Sequence, residues 1–287
     1  MPERLDAEQV ASDARRVAEI ALAEDGARDI TTEVVVGAAE QASAVIASRE
    51  VTVMAGRAWA DAVVTACGLP PITWQAEDGE VVPARGVVGQ LDGDLQAILR
   101  AERPLLNILQ RSCGIATVTR RYADAIKGTG CQVLHTRKTT PGLRLLEVNA
   151  VLAGGGGRHR LDLADTVMIK DNHWQALGES GRTLAAALDA ARTRGVTRLY
   201  VEVESMEQLR AACEAGATRV MIDNQEPDVV EQWTVEARRL SPRIEVEATG
   251  GITFATLREF VMAGVDYVST GALTHSVRGA DLGLDMI

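Results

Sequence analysis

Aromatic side chains make up only 3% of this 287-residue chain, and long apolar runs are missing. Without exposed aromatic platforms, a reader of single-stranded nucleic acid has little on which to stack bases. No run reaches the roughly 18 consecutive apolar residues that a membrane span requires. Basic residues are in deficit: the formal net charge is −10, whereas affinity for nucleic-acid phosphates needs broad basic surface. Neither nucleic acid nor a membrane is an expected partner. The four cysteines, Cys67, Cys113, Cys131 and Cys213, form no CxxC pair, so neither a disulfide framework nor a zinc site is indicated. The first segment, MPERLDAEQVASDARRVAEIALAED, is charged and amphipathic, unlike a signal peptide. The expectation is a cytoplasmic protein.

An apolar fraction of 46% suffices for a buried core, and two regimes of patterning appear. Residues 1–40 read as helix followed by DITTE (29–33) as a turn, 41–99 as β-rich, and 102–127 as a long amphipathic helix with Pro104 near its start. From residue 131 the rhythm becomes strand–helix alternation. Strands are expected at 131–136, 166–170, 199–204, 219–223, 244–249 and 266–270, with helices at about 181–195, 205–216, 226–240 and 253–264. Apolar strands joined by helices indicate a parallel sheet. A βα barrel gathers its strand C-termini at one mouth. An open doubly wound sheet is the competing architecture, weakened because no GxGxxG follows the first strand.

A cationic cluster stands out in this acidic chain. Between His135 and His173 lie Arg137, Lys138, Arg144, Arg158, Arg160 and Lys170, against Glu147, Asp162, Asp165 and Asp171. Guanidinium forks grip carboxylate and phosphate bidentately, so a small polyanion is the natural ligand. The interleaving TT-P-G and glycine runs suit loops better than a solvated helix face. GGGG (154–157) lacks the GK[ST] of a phosphate-binding P-loop and reads as close backbone approach or a mobile loop.

The strand ends carry the remaining chemistry. EATGGI (247–252) and STGALT (269–274) each place glycine after a strand and before a helical segment, where backbone amides approach phosphate. Ordinary turn chemistry is the plainer reading of one such loop; two in consecutive units favour phosphate. Glu202 and Asp223 end neighbouring strands and suit ribose hydroxyls, Mg²⁺ held through water, or developing positive charge, although either alone could be a structural ion pair. Alternation puts Glu204 on the side of Glu202. Lys170 is an anion-binding cation, a Schiff-base nucleophile or a solvated strand-end lysine. All four histidines, His135, His159, His173 and His275, fall at strand ends or loops, without metal-site spacing.

These residues resemble the quinolinate phosphoribosyltransferase family nearly end to end. The resemblance rests on DITTE, AERPLLNILQRSCGIAT (101–117), TRKTTPGLR (136–144), AGGGGRHR (153–160), IKDNH (169–173), VEVES (201–205), MIDN (221–224), EATGGI and STGALTHS (269–276). It implies an α/β chain with an N-terminal α/β sandwich and a C-terminal open βα barrel of fewer than eight strands, the type II phosphoribosyltransferase architecture. The sandwich would occupy 1–115 and the barrel 116–275, with the chain beyond 275 returning to the sandwich. The implied substrates are quinolinate and phosphoribosyl pyrophosphate (PRPP), with Mg²⁺ as cofactor. The implied assembly is a homodimer or larger homo-oligomer in which Arg103 enters the neighbouring site. Arg137, His159 and Arg160 would hold the dicarboxylate, Lys138 and Lys170 carboxylate or phosphate, and Thr136 would join the substrate-binding residues. Glu202 and Asp223 would border ribose and Mg²⁺. Thr249, Gly250, Gly251, Thr270, Gly271 and Ala272 would cradle the 5′-phosphate. Lys138, Lys170, Glu202 and Asp223 form the implied catalytic set.

Four positions depart from the family pattern. His135 stands where Asp is frequent, Val148 and Asn149 replace a Lys-Tyr pair, and Arg158 replaces a small polar residue. A paralogue acting on another heteroaromatic acid, a Schiff-base lyase using Lys170 and a non-catalytic anion-binding regulator are the alternative readings.

Overall fold

A computed structural model describes residues 5–287; the first four residues of the expected N-terminal helix lie outside the described residues. In chain order the elements begin with α1 (Ala7–Glu24), α2 (Ile30–Val35), β1 (Gln41–Ser48), β2 (Thr52–Val53), α3 (Arg57–Ala66), β3 (Thr73–Trp74), β4 (Val81–Val82), β5 (Val87–Asp94) and α4 (Leu95–Ala125). They continue with β6 (Gln132–Leu134), α5 (Arg144–Ala153), β7 (Val167–Ile169), α6 (Asp171–Ser180), α7 (Leu184–Thr193), β8 (Leu199–Val203) and α8 (Met206–Glu214). The last are β9 (Arg219–Asp223), α9 (Pro227–Leu240), β10 (Glu245–Thr249), α10 (Leu257–Met262), β11 (Tyr267–Ser269) and β12 (Leu282–Met286). Two compact units result: 1–121 with 138–156 and 273–287, and 122–137 with 157–272. Residues 138–156, expected within the barrel, group with the first unit.

In the first unit, local capping decides where helices begin. Asp6 accepts the Gln9 N–H at 2.9 Å and starts α1. Gly26, at φ +82°, ends the helical run. DITTE, expected as a turn, instead opens α2, because the Asp29 carboxylate accepts the Thr32 N–H at 3.0 Å and satisfies an otherwise unpaired first-turn amide. The same chemistry relocates α4. Asp94 accepts from Ala97 at 3.0 Å, so the helix begins at Leu95 and Pro104 lies in its interior, not near its start. Proline there lacks one donor, a loss the 31-residue helix tolerates.

The antiparallel sheet of this unit runs β12-β1-β5-β3. Strand β1 pairs from Gln41↔Asp94 to Ala47↔Val87 on one side and from Ala44↔Met286 to Ser48↔Leu282 on the other. Its buried face packs Ile46 and Leu91 with Trp59, Ile98, Leu105 and Leu109. Each such burial is worth ~1.5–3 kcal/mol before entropy is counted. The 138–156 segment contains a further departure, since Arg144–Ala153 is helix α5 where loop was expected. Leu146, Val148, Ala150 and Val151 bury one side of it.

The second unit is a parallel sheet in the order β6-β11-β10-β9-β8-β7. Strands β6 and β7 end the order without pairing to each other, so the barrel of six strands stays open. The Gly157 N–H donates to the Val133 carbonyl at 2.8 Å, and Gly157 bridges Leu134 beside β6. Register fixes what lines the interior. Tyr200 pairs Arg219 and Arg219 pairs Glu245; Glu202 pairs Met221, Met221 pairs Glu247 and Glu247 pairs Tyr267; Asp223 pairs Thr249. Because side chains alternate with period two, these residues share one face in successive layers. Barrel interiors are usually filled by branched apolar side chains; this one is largely charged.

Candidate active site

Four of the proposed site residues, Lys170, Glu202, Asp223 and Thr249, lie at the C-terminal ends of the barrel strands. Lys170 follows β7 and forms an ion pair with Glu202 of β8. The register places Asp223 one layer above, on the same face. Burial pushes the Glu202 carboxyl above the ordinary carboxylate range, and Asp223 and Asp171 add to this against the pull of Lys170. An ammonium held by a carboxylate is a poor amine nucleophile, so the geometry disfavours a Schiff base at Lys170. Thr249 ends β10 opposite Asp223 and accepts from the Ser269 hydroxyl at 3.1 Å.

The segment after Gly157 supplies the arginines. Arg160 is buried, while Arg137, following β6, is exposed. Burial and then Arg137 lower the Arg160 guanidinium, while Asp165, Glu202 and Asp162 support its charge. His159 is less available than the sequence suggested. Its Nδ1 accepts the Arg160 N–H at 2.9 Å, and its Nε2 lies 3.4 Å from Glu247 Oε1. Nδ1 is therefore taken, while the buried Nε2 faces Glu247 at ion-pair distance without making a hydrogen bond. His135, fully buried, accepts the His159 N–H through Nε2 at 3.0 Å, and its Nδ1 lies 3.2 Å from the Thr136 carbonyl. Burial first, and then the nearby His159 and Arg158, push its pKa down to about 4. A neutral imidazole thus serves as hydrogen-bond acceptor where the resemblance leads one to expect a carboxylate.

The glycine loops differ from each other. Gly250 has φ +88°, and a Cβ there would sit 2.7 Å from the Asn224 backbone nitrogen and 2.3 Å from its Oδ1. Gly251 has φ +63° but faces open space. The Thr270 hydroxyl donates to the Ile252 carbonyl at 2.7 Å and accepts from the Ala272 N–H at 3.2 Å, tying the 250–252 and 270–272 loops together. Helix support is weaker than expected: α10 starts only at Leu257, and Gly271–Leu273 is a single 3-10 turn. Any phosphate cradle here relies on loop amides and threonines more than on a helix terminus.

Lys138 and Arg103 belong to the first unit. The Lys138 carbonyl accepts from the Thr274 hydroxyl at 2.8 Å. The following loop is fixed by Glu147, whose Oε1 takes two Arg111 bonds at 3.0 and 2.7 Å and whose Oε2 takes the Thr140 N–H at 3.2 Å. Arg103 is exposed. GGGG is a close-packed segment: a Cβ on Gly154 would lie 2.5 Å from the Ala116 carbonyl, and one on Gly156 2.6 Å from Val151 Cγ1. Arg144 turns to the Thr139 hydroxyl at 3.3 Å. Val148 is fully buried, and Asn149 donates to Asp78 at 3.2 Å.

Sequence reasoning missed the supports. β8 ends at Val203, so Glu204 is exposed instead of lining the interior beside Glu202. His173 caps α6, accepting the Lys170 N–H at 3.0 Å, and Trp174 Nε1 donates to the Glu202 carbonyl at 2.8 Å. The contiguous IKDNHW was the available signal. His275 is exposed in the first unit. Glu247 and Arg219 were legible as strand residues only.

An open βα barrel with paired cations and carboxylates at its strand ends defines an enzyme class that handles small phosphorylated or carboxylated molecules. Comparison with known proteins narrows this. Residues 29–113 match the quinolinate phosphoribosyl transferase N-terminal domain, and 115–285 match the C-terminal domain. The chain belongs to the quinolinate phosphoribosyltransferase family. It is 43% identical over 212 residues to a probable nicotinate-nucleotide pyrophosphorylase [carboxylating] of Bacillus subtilis (strain 168), spanning 73% of this chain and 71% of the relative. It is 38% identical over 263 residues to the nicotinate-nucleotide pyrophosphorylase [carboxylating] of Mycobacterium leprae (strain TN), spanning 90% and 91%. The solved nicotinate-nucleotide pyrophosphorylase of Francisella tularensis superposes with a TM-score of 0.89 at 32% identity, covering 96% of this chain and 97% of that one.

Proposed function

We propose that this chain transfers the phosphoribosyl group of PRPP to quinolinate with decarboxylation, giving nicotinate mononucleotide, CO₂ and pyrophosphate in de novo NAD synthesis. The observation that carries the reading is the convergence of buried Arg160 and the Lys170–Glu202 pair with Asp223 at one end of an open barrel. Two anions must be brought together against their repulsion, and fixed cations do that without reorganising.

Arg137 and Arg160 grip the dicarboxylate, with Thr136 beside them. Lys170 and Lys138 take carboxylate or phosphate, and the Thr249–Gly251 and Thr270–Ala272 loops take the 5′-phosphate. As the bond from C1 to pyrophosphate breaks, its electron pair leaves with pyrophosphate and positive charge grows on the ribose. Glu202 and Asp223 face that charge. The ring nitrogen lone pair then bonds C1. When the carboxylate adjacent to the resulting pyridinium nitrogen leaves as CO₂, the electron pair of the broken bond stays on that ring carbon, stabilised by the neighbouring positive nitrogen, and then takes one proton.

Among the described residues no three His, Cys, Asp or Glu side chains cluster to hold a metal. Glu202 and Asp223 fit Mg²⁺ in its usual mode, with one or two carboxylates supplemented by substrate phosphates and water. Mg²⁺ bound there would neutralise pyrophosphate charge. A homodimer or larger homo-oligomer, with exposed Arg103 reaching a neighbouring site, and a cytoplasmic location complete the proposal. No helix of the described residues is long and apolar enough to cross a membrane.

Calorimetry with quinolinate tests the acceptor site. Arg137→Ala and Arg160→Ala should each abolish binding while leaving the fold intact; unchanged affinity would remove them from the site.

A further inference from the structure

Beneath the barrel mouth lies a chain of buried charge for which the reaction, as described, has no use. Glu247 is fully buried and Arg219 is 5% exposed. Arg219 donates to Glu247 Oε2 through Nη1 at 2.8 Å, and to Glu245 Oε2 through Nε at 2.9 Å and Nη2 at 2.8 Å. Its guanidinium lies between two rings, with the centroid of Tyr267 at 3.8 Å and that of Tyr200 at 4.4 Å. Such a pair is weak evidence of a stabilising role, since well-packed apolar residues of similar volume often stabilise a core as well or better. Its orientation indicates another role. The second Glu247 oxygen points away from Arg219 and toward His159.

The hydrogen bonds around His159 fix its proton. Nδ1 accepts the Arg160 N–H, so the ring proton sits on Nε2 and faces Glu247 Oε1 at 3.4 Å. From the other side, His135 accepts the His159 N–H at 3.0 Å. The Nδ1 bond and the charge of Glu247 facing Nε2 orient the imidazole, His135 holds the backbone of the same residue, and the imidazole in turn holds the amide of Arg160. Tyr200 adds an edge contact with ring centroids 5.8 Å apart.

We propose that Glu247, braced by Arg219, is a positioning residue for the acceptor: through His159 it fixes the backbone of Arg160, and so the direction in which that guanidinium meets the acceptor carboxylate. The inference rests on the assignment of Arg160 to the acceptor site and deepens it. Of the proposed PRPP contacts, Thr249 shares β10 with Glu247 but takes its hydrogen bond from Ser269, so PRPP depends less on the link through His159.

The test is steady-state kinetics of the Glu247→Gln enzyme with each substrate varied in turn, alongside thermal melting. Glutamine keeps the volume and removes the charge that orients the imidazole. The KM for quinolinate should rise about tenfold or more, the scale of losing one close charge contact in a buried site, while the KM for PRPP stays within about twofold. Equal changes in both KM values accompanied by a lower melting temperature, or no change in either, would overturn the proposal. Arg219→Lys keeps the cation but loses the fork, and serves if the glutamine variant does not fold. A smaller rise confined to quinolinate supports the proposal, and an even-handed effect overturns it. Wild-type enzyme that forms no product from quinolinate overturns both the functional reading and this inference. A competent wild type whose variants show no selectivity overturns the inference alone.

Discussion

His135 shows how a single residue ties pH to stability here. Its pKa falls from 6.5 to about 4 on burial. The neutral form is the one folding favours, so its contribution is complete above about 6.5 and is lost as pH falls through about 4. Over that window the linkage amounts to on the order of 3 kcal/mol. Urea denaturation between pH 7 and 4 should show this loss, and His135→Gln should flatten it while costing some stability at pH 7. Glu202 sets a second dependence. Its carboxyl is raised, so protonation breaks the Lys170 pair at a pH above ordinary carboxylate titration. The acid limb of kcat/KM should lie correspondingly high and vanish in Glu202→Gln. Lys170→Met should lower kcat/KM by about 10²-fold or more, the scale of losing one preorganised electrostatic contact. Lys170, Glu202 and Asp223 were legible in the sequence because a charge that closes an apolar strand run sits where the strand meets the barrel mouth. Arg160 was legible from the density of cations around it in an acidic chain. The engagement of His159 was not, because it depends on which β10 residue lies across the interior from residue 159.

Among elements, the six parallel strands were legible from apolar runs alone, and their observed limits differ from expectation by at most two residues at either end. Helices α5 and α6 were not. Their sequences carry the charges and glycines that suggested loops, and only packing shows that one side of α5 is buried. The loop after β10 separates two kinds of glycine. Gly250→Ala would force Cβ against the Asn224 backbone at a left-handed φ, so it should destabilise by about 1–3 kcal/mol and raise the KM for PRPP. Gly251→Asn, at φ +63° in open space, should be nearly neutral in melting experiments, because asparagine tolerates that region. Similar losses for both would contradict the role of close approach at Gly250.

At the scale of the whole molecule, the return of the chain after residue 275 to pair with β1 and the grouping of 138–156 with the first unit mean that neither unit is one continuous stretch. Repeated strand–helix spacing signals a barrel, but no local pattern announces that a segment leaves it. The proposed assembly has its own test. If Arg103 serves a neighbouring subunit, mixing inactive Arg103→Ala and Lys170→Met proteins under subunit exchange should restore activity, because a mixed dimer contains one intact site. Activity that stays absent after confirmed exchange would place Arg103 outside the site. The central claim is the reaction itself, and product analysis by mass tests it most directly. Purified protein is incubated with PRPP, Mg²⁺ and quinolinate, and in parallel with nicotinate in place of quinolinate. Nicotinate mononucleotide and CO₂ from the quinolinate reaction alone are the expected result; no product from quinolinate, or nucleotide formed only from nicotinate, would contradict it.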